Sequence, residues 1–393
     1  MGLFLLLWPI ALLPKIVQLF VLGAMTVVTL WQCKSLSIDK WAKLLFAYIG
    51  VNTFSVCYNL VTEQHELSRV MAAINMLLIW IVAVLIYIYY QNAQINLIRI
   101  GCCCFINIVI MIALAIWHLI LVKEQIIYLL PYTNHVLFYC EEKPRFQGLQ
   151  EYPTLVSAWI LIQIIPACYF LWTKTKTKII PILFYIMSFM PVYYSYSRNG
   201  YVLFFVATLV VIFIWIKKKF GLQTIAALGV GSLAVLVICW NAFYSRISEI
   251  LNNLFGMRSG SNDIRGRVYE WTWQRAMESP IWGKGIKDIC PEGLPYGSHC
   301  SYLGFFYKTG IIGLAIILLA FIGIGCHIWF RGKQSMMYWT FATFISCFFA
   351  FCIFEDIDGA NWLICVFFAL LGIQTNPNIV WQKEKVAEER KQK

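Results

Sequence analysis

Long apolar runs alternate with short polar connections from one end of the chain to the other. The apolar segments cover about 3–13, 16–31, 44–61, 70–90, 100–121, 153–172, 179–196, 201–216, 222–240, 301–326, 336–354 and 361–373. A helix of about 20 apolar residues crosses a bilayer, and runs near that length recur here without the strict alternation of strands. The pattern predicts an all-α, polytopic membrane chain of about 12 transmembrane helices. Segment 3–13 is the shortest and is closed by Pro14 and Lys15. It is counted as a span because an even total puts both termini on one side. No small-residue cleavage site follows it, which argues against a removed signal peptide.

The connections divide into two sets. Those with Lys34, Lys40 and Lys43, with Lys174, Lys176 and Lys178, with Lys217, Lys218 and Lys219, and with Arg331 and Lys333 are basic, as is the tail Lys383–Lys393. Basic connections stay in the cytoplasm, so both termini are expected there. Connections 62–69, 122–152, 197–200, 241–300 and 355–360 then lie outside. One membrane domain, 1–393, is expected, with N-terminal spans over 1–240, an outer loop at 241–300, C-terminal spans over 301–376 and a basic tail at 377–393.

Composition supports this reading. The chain is 61% hydrophobic and 13% charged, against about half and about a quarter in a soluble domain, so it could not cover its apolar surface in water. A net charge of +12 would suggest nucleic acid as partner in a soluble protein; placed in short alternate loops, it sets orientation instead. Most of the 14 cysteines, Cys102, Cys103 and Cys104 among them, fall in predicted helices, where Cys acts as a small hydrophobe. Cys140, Cys290 and Cys300 fall outside; Cys290 and Cys300 are a candidate pair, but an odd set of three does not make a framework. No zinc-type ligand spacing occurs.

The loop 241–300 is dense in charge of both signs. Tyr244–Phe255 carries Ile247, Ile250, Leu251 and Leu254 at the spacing of an interfacial amphipathic helix. After a Gly/Ser/Asn break at Gly256–Asp263, a second helix is predicted from about Ile264 to Glu278, capped near Asp263 and ended by Pro280. Arg267, Trp271 and Arg275 share a face of it. Glycines and prolines from Gly283 to Gly297 then deliver His299, Cys300, Ser301 and Tyr302 to the mouth of the next span. A histidine can take a proton from a hydroxyl near neutral pH, arginines bind phosphate oxygens in a bidentate way, and aromatics stack on sugars or anchor a loop. No ATP is available outside, so a transferase there must use a donor already activated, such as a lipid-diphosphate sugar.

Gly266-Arg267 with Trp271, Pro280, Gly283-x-Gly285, His299 with Tyr302, and Gly310-Ile311-Ile312-Gly313-Leu314 resemble the C-terminal signature of the O-antigen ligase and O-antigen polymerase (Wzy-type) superfamily of bacterial membrane glycosyltransferases. Ser197-Arg198-Asn199-Gly200 resembles its Ser-Arg-x-Gly motif. The likeness covers about 197–314; Cys300 departs from it, standing where the family usually has Asn. It implies a C-type-like fold in the bacterial inner membrane and an inverting, metal-independent glycosyltransferase with no cofactor. It further implies undecaprenyl-diphosphate-linked oligosaccharides as donor and acceptor, His299 as base, and Arg198 and Arg267 on the diphosphate. Arg265, Trp271, Arg275 and Tyr302 are further candidates for substrate contact, and a chain-length regulator is a candidate partner.

Each residue also has a plainer reading. Arg198 at a helix end is an interface anchor; Arg246, Arg265 and Arg275 pair with nearby carboxylates; His65 and His135 lack the company that singles out His299; Arg69 and Arg145 are candidates for an acceptor groove. Glu355, Asp356 and Asp358 form either an acidic turn or an Asp-x-Asp metal site, and the turn is preferred. A flippase would carry charged or broken helices at mid-membrane, and an assembly protein has no use for a 60-residue charged loop. Between polymerase and ligase, the otherwise modest outer loops favour a polymerase, whose acceptor is small and held close to the membrane.

Overall fold

The computed structural model describes residues 3–6, 10, 13–33, 36–121, 128–130, 135–136, 138–140, 144–238, 244, 248, 259–331, 335–358 and 361–379. Its helices, in chain order, are α1 (Lys15–Cys33), α2 (Lys40–Thr62), α3 (Leu67–Asn92), α4 (Leu97–Leu121), α5 (Thr154–Lys174), α6 (Ile179–Tyr194), α7 (Arg198–Ile238), α8 (Ser259–Ala276), α9 (Ser301–Trp329), α10 (Met336–Phe354) and α11 (Asn361–Thr375). Two short antiparallel strand pairs, ending in Pro144–Phe146, lie between α4 and α5.

Seven of these helices, α2, α3, α4, α5, the first half of α7, α9 and α10, are long and apolar enough to cross a membrane, and α1, α6 and α11 supply shorter apolar helices. The chain is therefore an all-α polytopic protein, but three expected spans differ. Segment 3–13 forms only a 3-10 turn, Leu3–Leu6, among the described residues. Segments 201–216 and 222–240 run together as α7, whose 41 residues extend about 60 Å at about 1.5 Å per residue, twice a hydrocarbon core. The turn expected at Lys217–Lys219 does not form. Lysines are good helix formers, and no proline stands at that point to end the helix.

α5 is the most enclosed span, with 78% of its apolar window buried; it packs on α4, α6 and α10, while α3 packs on α11 and α2 on α9. Four aromatics tie α2, α3, α9 and α11 together. Trp80 meets Tyr48 at 5.2 Å, Phe305 at 5.8 Å and Phe368 at 5.6 Å between ring centroids, all edge-on, the arrangement ring quadrupoles prefer. This cluster sits directly beneath the start of α9.

Polar groups gather at the two ends of the bundle. At one end Asp39 caps α2 through the Ala42 N–H at 2.7 Å and accepts from Gln91 at 2.7 Å, while Arg331 donates to the carbonyl of Asn376 at 2.8 Å. At the other end Glu63, Arg145, Ser197, Arg265, His299 and Glu355 collect, one or more from each of the five connections expected outside. Residues from all five connections therefore meet at this end.

Single cysteines introduced at Lys176 and at Pro291, in a chain whose exposed native thiols have been replaced, should report opposite sides. An impermeant maleimide applied to intact cells is expected to label the second and spare the first. Equal labelling of both would refute the alternation.

Candidate functional site

The turn between α6 and α7 forms one wall of the site. Ser197 is the N-cap of α7: its Oγ accepts from the Gly200 N–H at 3.2 Å and its carbonyl from Tyr201 at 3.0 Å. Such a cap satisfies donors that a helix start leaves open. Arg198 and Asn199 occupy the first turn, where the helix dipole is positive. A side chain at Gly200 would lie 2.2 Å from Cβ of Ser157, so α5 and α7 touch there. Arg145 reaches in from the α4–α5 connection, 8% exposed, and donates to the Ser195 carbonyl at 3.1 Å. Arg145, Thr154, Tyr196, Ser197, Arg198, Asn199, Arg265 and Glu355 line a small open pocket. Three guanidinium groups and a helix start against one carboxylate give its lining an excess of positive charge, the kind of surroundings that suit an anion.

α8 supplies a second wall. It begins at Ser259, five residues before the expected start. Val268, Thr272 and Ala276 are buried on its inner face. Arg265 on that face brings Nη2 within 2.9 Å of Glu355 Oε1. Arg265 Nε and Thr154 Oγ1 are buried with no hydrogen-bond partner among the described residues. Two residues along a helix is about 200° around it, so Arg267 faces the other way. It is 51% exposed and grips Glu292 with two bonds, 2.6 and 3.2 Å. Arg265 and Arg145, rather than Arg267, line this pocket with Arg198.

The remaining candidates lie apart from the pocket. Trp271 is 40% exposed near Arg267 on the outer face of α8. Arg275 pairs with Glu63 at 2.7 Å and with Glu278, and Lys284 bonds Glu63 at 2.6 Å. Burial raises the Glu63 carboxyl, but the Lys284 hydrogen bond and the Arg275 charge outweigh it and hold it below its usual range. Tyr302 donates to the Phe349 carbonyl at 2.9 Å, a packing role between α9 and α10. Arg69 does not line the pocket. His65, expected to lack company, is buried against Asp288 at 3.1 Å. The side chain of His135 and the amphipathic helix expected over 244–255, beyond helical Tyr244 and Ser248, lie outside the described residues.

His299 stands beside the pocket in a left-handed backbone conformation, φ +67°, which costs a side-chain-bearing residue about 1 kcal/mol. The Tyr269 hydroxyl donates to its carbonyl at 2.7 Å, and two residues before it the Gly297 N–H donates to Thr272 at 2.9 Å. α8 thus holds both Arg265 and the histidine loop. His299 Nδ1 is 3.8 Å from Glu355 Oε2, and the Glu355 side chain is 2% exposed. One buried carboxylate stands between the arginine and the histidine.

The Asp356–Asp358 turn faces inward. Lys287 Nζ lies 2.7 Å from Asp356 and 3.0 Å from Asp358, and Lys308 Nζ lies 2.7 Å from Asp358. Burial raises the Asp358 carboxyl, but Lys287 and Lys308 outweigh it and hold it far below the usual carboxylate range. These oxygens are committed to ammonium groups. The glycine motif docks the loop on α9, which breaks at Gly310, φ +60°. Gly285 donates to the Lys308 carbonyl at 2.9 Å, and Ile311 donates to Pro280 at 2.8 Å. A Cβ at Gly283 would come within 2.4 Å of the Lys308 backbone. Cys290 and Cys300 are free thiols.

Within this geometry the comparison with known families is specific. Residues 182–318 match the family model described as O-antigen ligase. No curated protein matches the chain. The O-antigen ligase match covers about a third of the sequence and holds the Ser197–Gly200 motif, α8, His299 and the break at Gly310, so the resemblance to the ligase and polymerase superfamily holds over that stretch. Arg145, Thr154 and Glu355 complete the pocket from outside the O-antigen ligase match. Sequence reading reached Arg145 only as a groove candidate and Glu355 only as part of an acidic turn. Their one legible signal was a charged residue in an outer connection.

Removing one member of the buried Lys287–Asp356–Asp358–Lys308 group should leave an unpaired charge, at a cost of about 3–5 kcal/mol. Asp358→Asn is expected to lower the unfolding midpoint of the purified protein accordingly, while EDTA leaves the unmodified protein unchanged. A midpoint that falls on chelation would mean that the aspartates hold a cation.

Proposed function

We propose that the chain is a bacterial surface-polysaccharide polymerase that joins undecaprenyl-diphosphate-linked repeat units at the outer face of the cytoplasmic membrane. One observation carries the reading: a pocket of Arg145, Arg198 and Arg265 at the start of α7, with His299 close to the Glu355 carboxylate that lines it. The O-antigen ligase match over 182–318 supports the enzyme class.

In this reading the donor diphosphate occupies the pocket. Bidentate guanidinium groups and the unpartnered Thr154 hydroxyl meet its oxygens, and the dipole of α7 adds to the field. The acceptor hydroxyl loses its proton to His299 and attacks the anomeric carbon from the face opposite the diphosphate. A new glycosidic C–O bond forms as the C–O bond to the diphosphate breaks, and the configuration inverts. The arginines neutralise the departing lipid diphosphate where its charge develops, the arrangement that contributes most when it is pre-set. Glu355 on the Nδ1 side of His299 leaves Nε2 to receive the proton and offsets the imidazolium that forms.

His299→Ala should abolish glycan assembly while the protein still accumulates in the membrane. Arg198→Lys and Arg265→Lys should each lose at least about tenfold in rate, since a point charge does not replace a planar fork, whereas Arg267→Lys stays within about twofold because its partner is a surface carboxylate. Polymer formation from purified lipid-linked units measures all four. A deletion strain separates polymerase from ligase: surface glycan of one repeat unit is expected, and long polymer stranded on the lipid carrier would identify a ligase.

A further inference from the structure

Glu355 is held with unusual firmness for a residue in a loop. Its carbonyl accepts from the Ser301 N–H at 3.2 Å and the Ser301 Oγ at 2.7 Å, and the same hydroxyl accepts from Ile357 at 3.0 Å. The two residues that follow in charge, Asp356 and Asp358, are pinned by Lys287 and Lys308. Its carboxylate is thus delivered to a fixed, buried position, where a carboxylate is stable only with partners. It has two, one per oxygen, and they are unequal. Arg265 sits at hydrogen-bond distance, 2.9 Å, while His299 Nδ1 at 3.8 Å is beyond it.

Arg265 also lines the pocket, and its Nε has no hydrogen-bond partner among the described residues. A diphosphate arriving there competes with Glu355 for the same guanidinium. We propose that Glu355 is a shared carboxylate: it neutralises Arg265 while the pocket is empty and turns to His299 when a diphosphate takes the arginine. Binding of the lipid-diphosphate donor is then what orients the base, and the acceptor reacts only on the donor-loaded enzyme. Glu355 is a positioning residue in this scheme, since it acts through Arg265 and His299. The inference rests on the reading of the pocket as a diphosphate site and of His299 as the base.

A shared carboxylate predicts opposite changes in binding and turnover, which a merely structural residue does not. With full-length protein in nanodiscs, equilibrium binding of undecaprenyl diphosphate should be about fivefold tighter in Glu355→Gln, because its competitor for Arg265 is gone, while turnover falls by at least about tenfold. Glu355→Asp, which keeps the buried charge but withdraws it, should move both quantities the same way by smaller factors. In an Arg265→Gln background the gain in binding should shrink by at least half, the non-additivity expected of residues that act on each other. Weaker binding in both Glu355 variants, an undiminished gain without Arg265, or unchanged turnover would each overturn the proposal. If His299→Gln retains turnover, or Arg145→Gln and Arg198→Gln bind the lipid diphosphate as the unmodified protein does, the underlying reading fails and the inference with it. If those two controls behave as expected and Glu355→Gln loosens binding, the inference alone falls.

Discussion

A peptide group shut away from water must find a partner, and the break in α9 at Gly310 leaves several that the helix itself cannot pair. Breaking the helix frees backbone groups, and the segment after α8 satisfies them. Lys284 donates to Tyr307, Gly285 to Lys308, and Ile311 to Pro280. Glycine at 283 and 285 lets that segment come close enough. The same docking brings Lys287 to the aspartate turn and sets the course of the loop that ends in His299. The motif glycines therefore act at a distance from the chemistry, through the path of the chain.

Charge at this end of the bundle is sorted into two kinds of cluster. The lysine–aspartate group and the Glu63–Arg275–Lys284 group carry matched or nearly matched charge and fix one connection to another. The pocket at the start of α7 holds three arginines to one carboxylate. Balance suits a scaffold, whereas a lining with an excess of one sign suits the diphosphate that the proposed function places there.

Much of the fold was legible because hydropathy over 20 residues is a strong and local signal, and the charged loops reported their shared side. The α7 region was not, since Lys217–Lys219 suits a cytoplasmic turn and a helix interior equally. For the site, Ser197–Gly200 and His299 were readable as a resemblance. Which of Arg265 and Arg267 lines the pocket was not legible, because it depends on which face of α8 is buried, and that is set by Thr272 and Tyr269 meeting a loop 25 to 30 residues away. Glu355 was beyond reach for the same reason: its partners come from two other segments of the chain.

The backbone at His299 sits where a chain by itself would place glycine. Whatever retains an imidazole there works against the local conformational preference, so a search for more stable versions of this protein would tend to discard it. On the proposed function, durability and chemistry pull in opposite directions at this one position. The contacts from Tyr269 and Thr272 can be understood as the restraint that keeps a disfavoured residue in service.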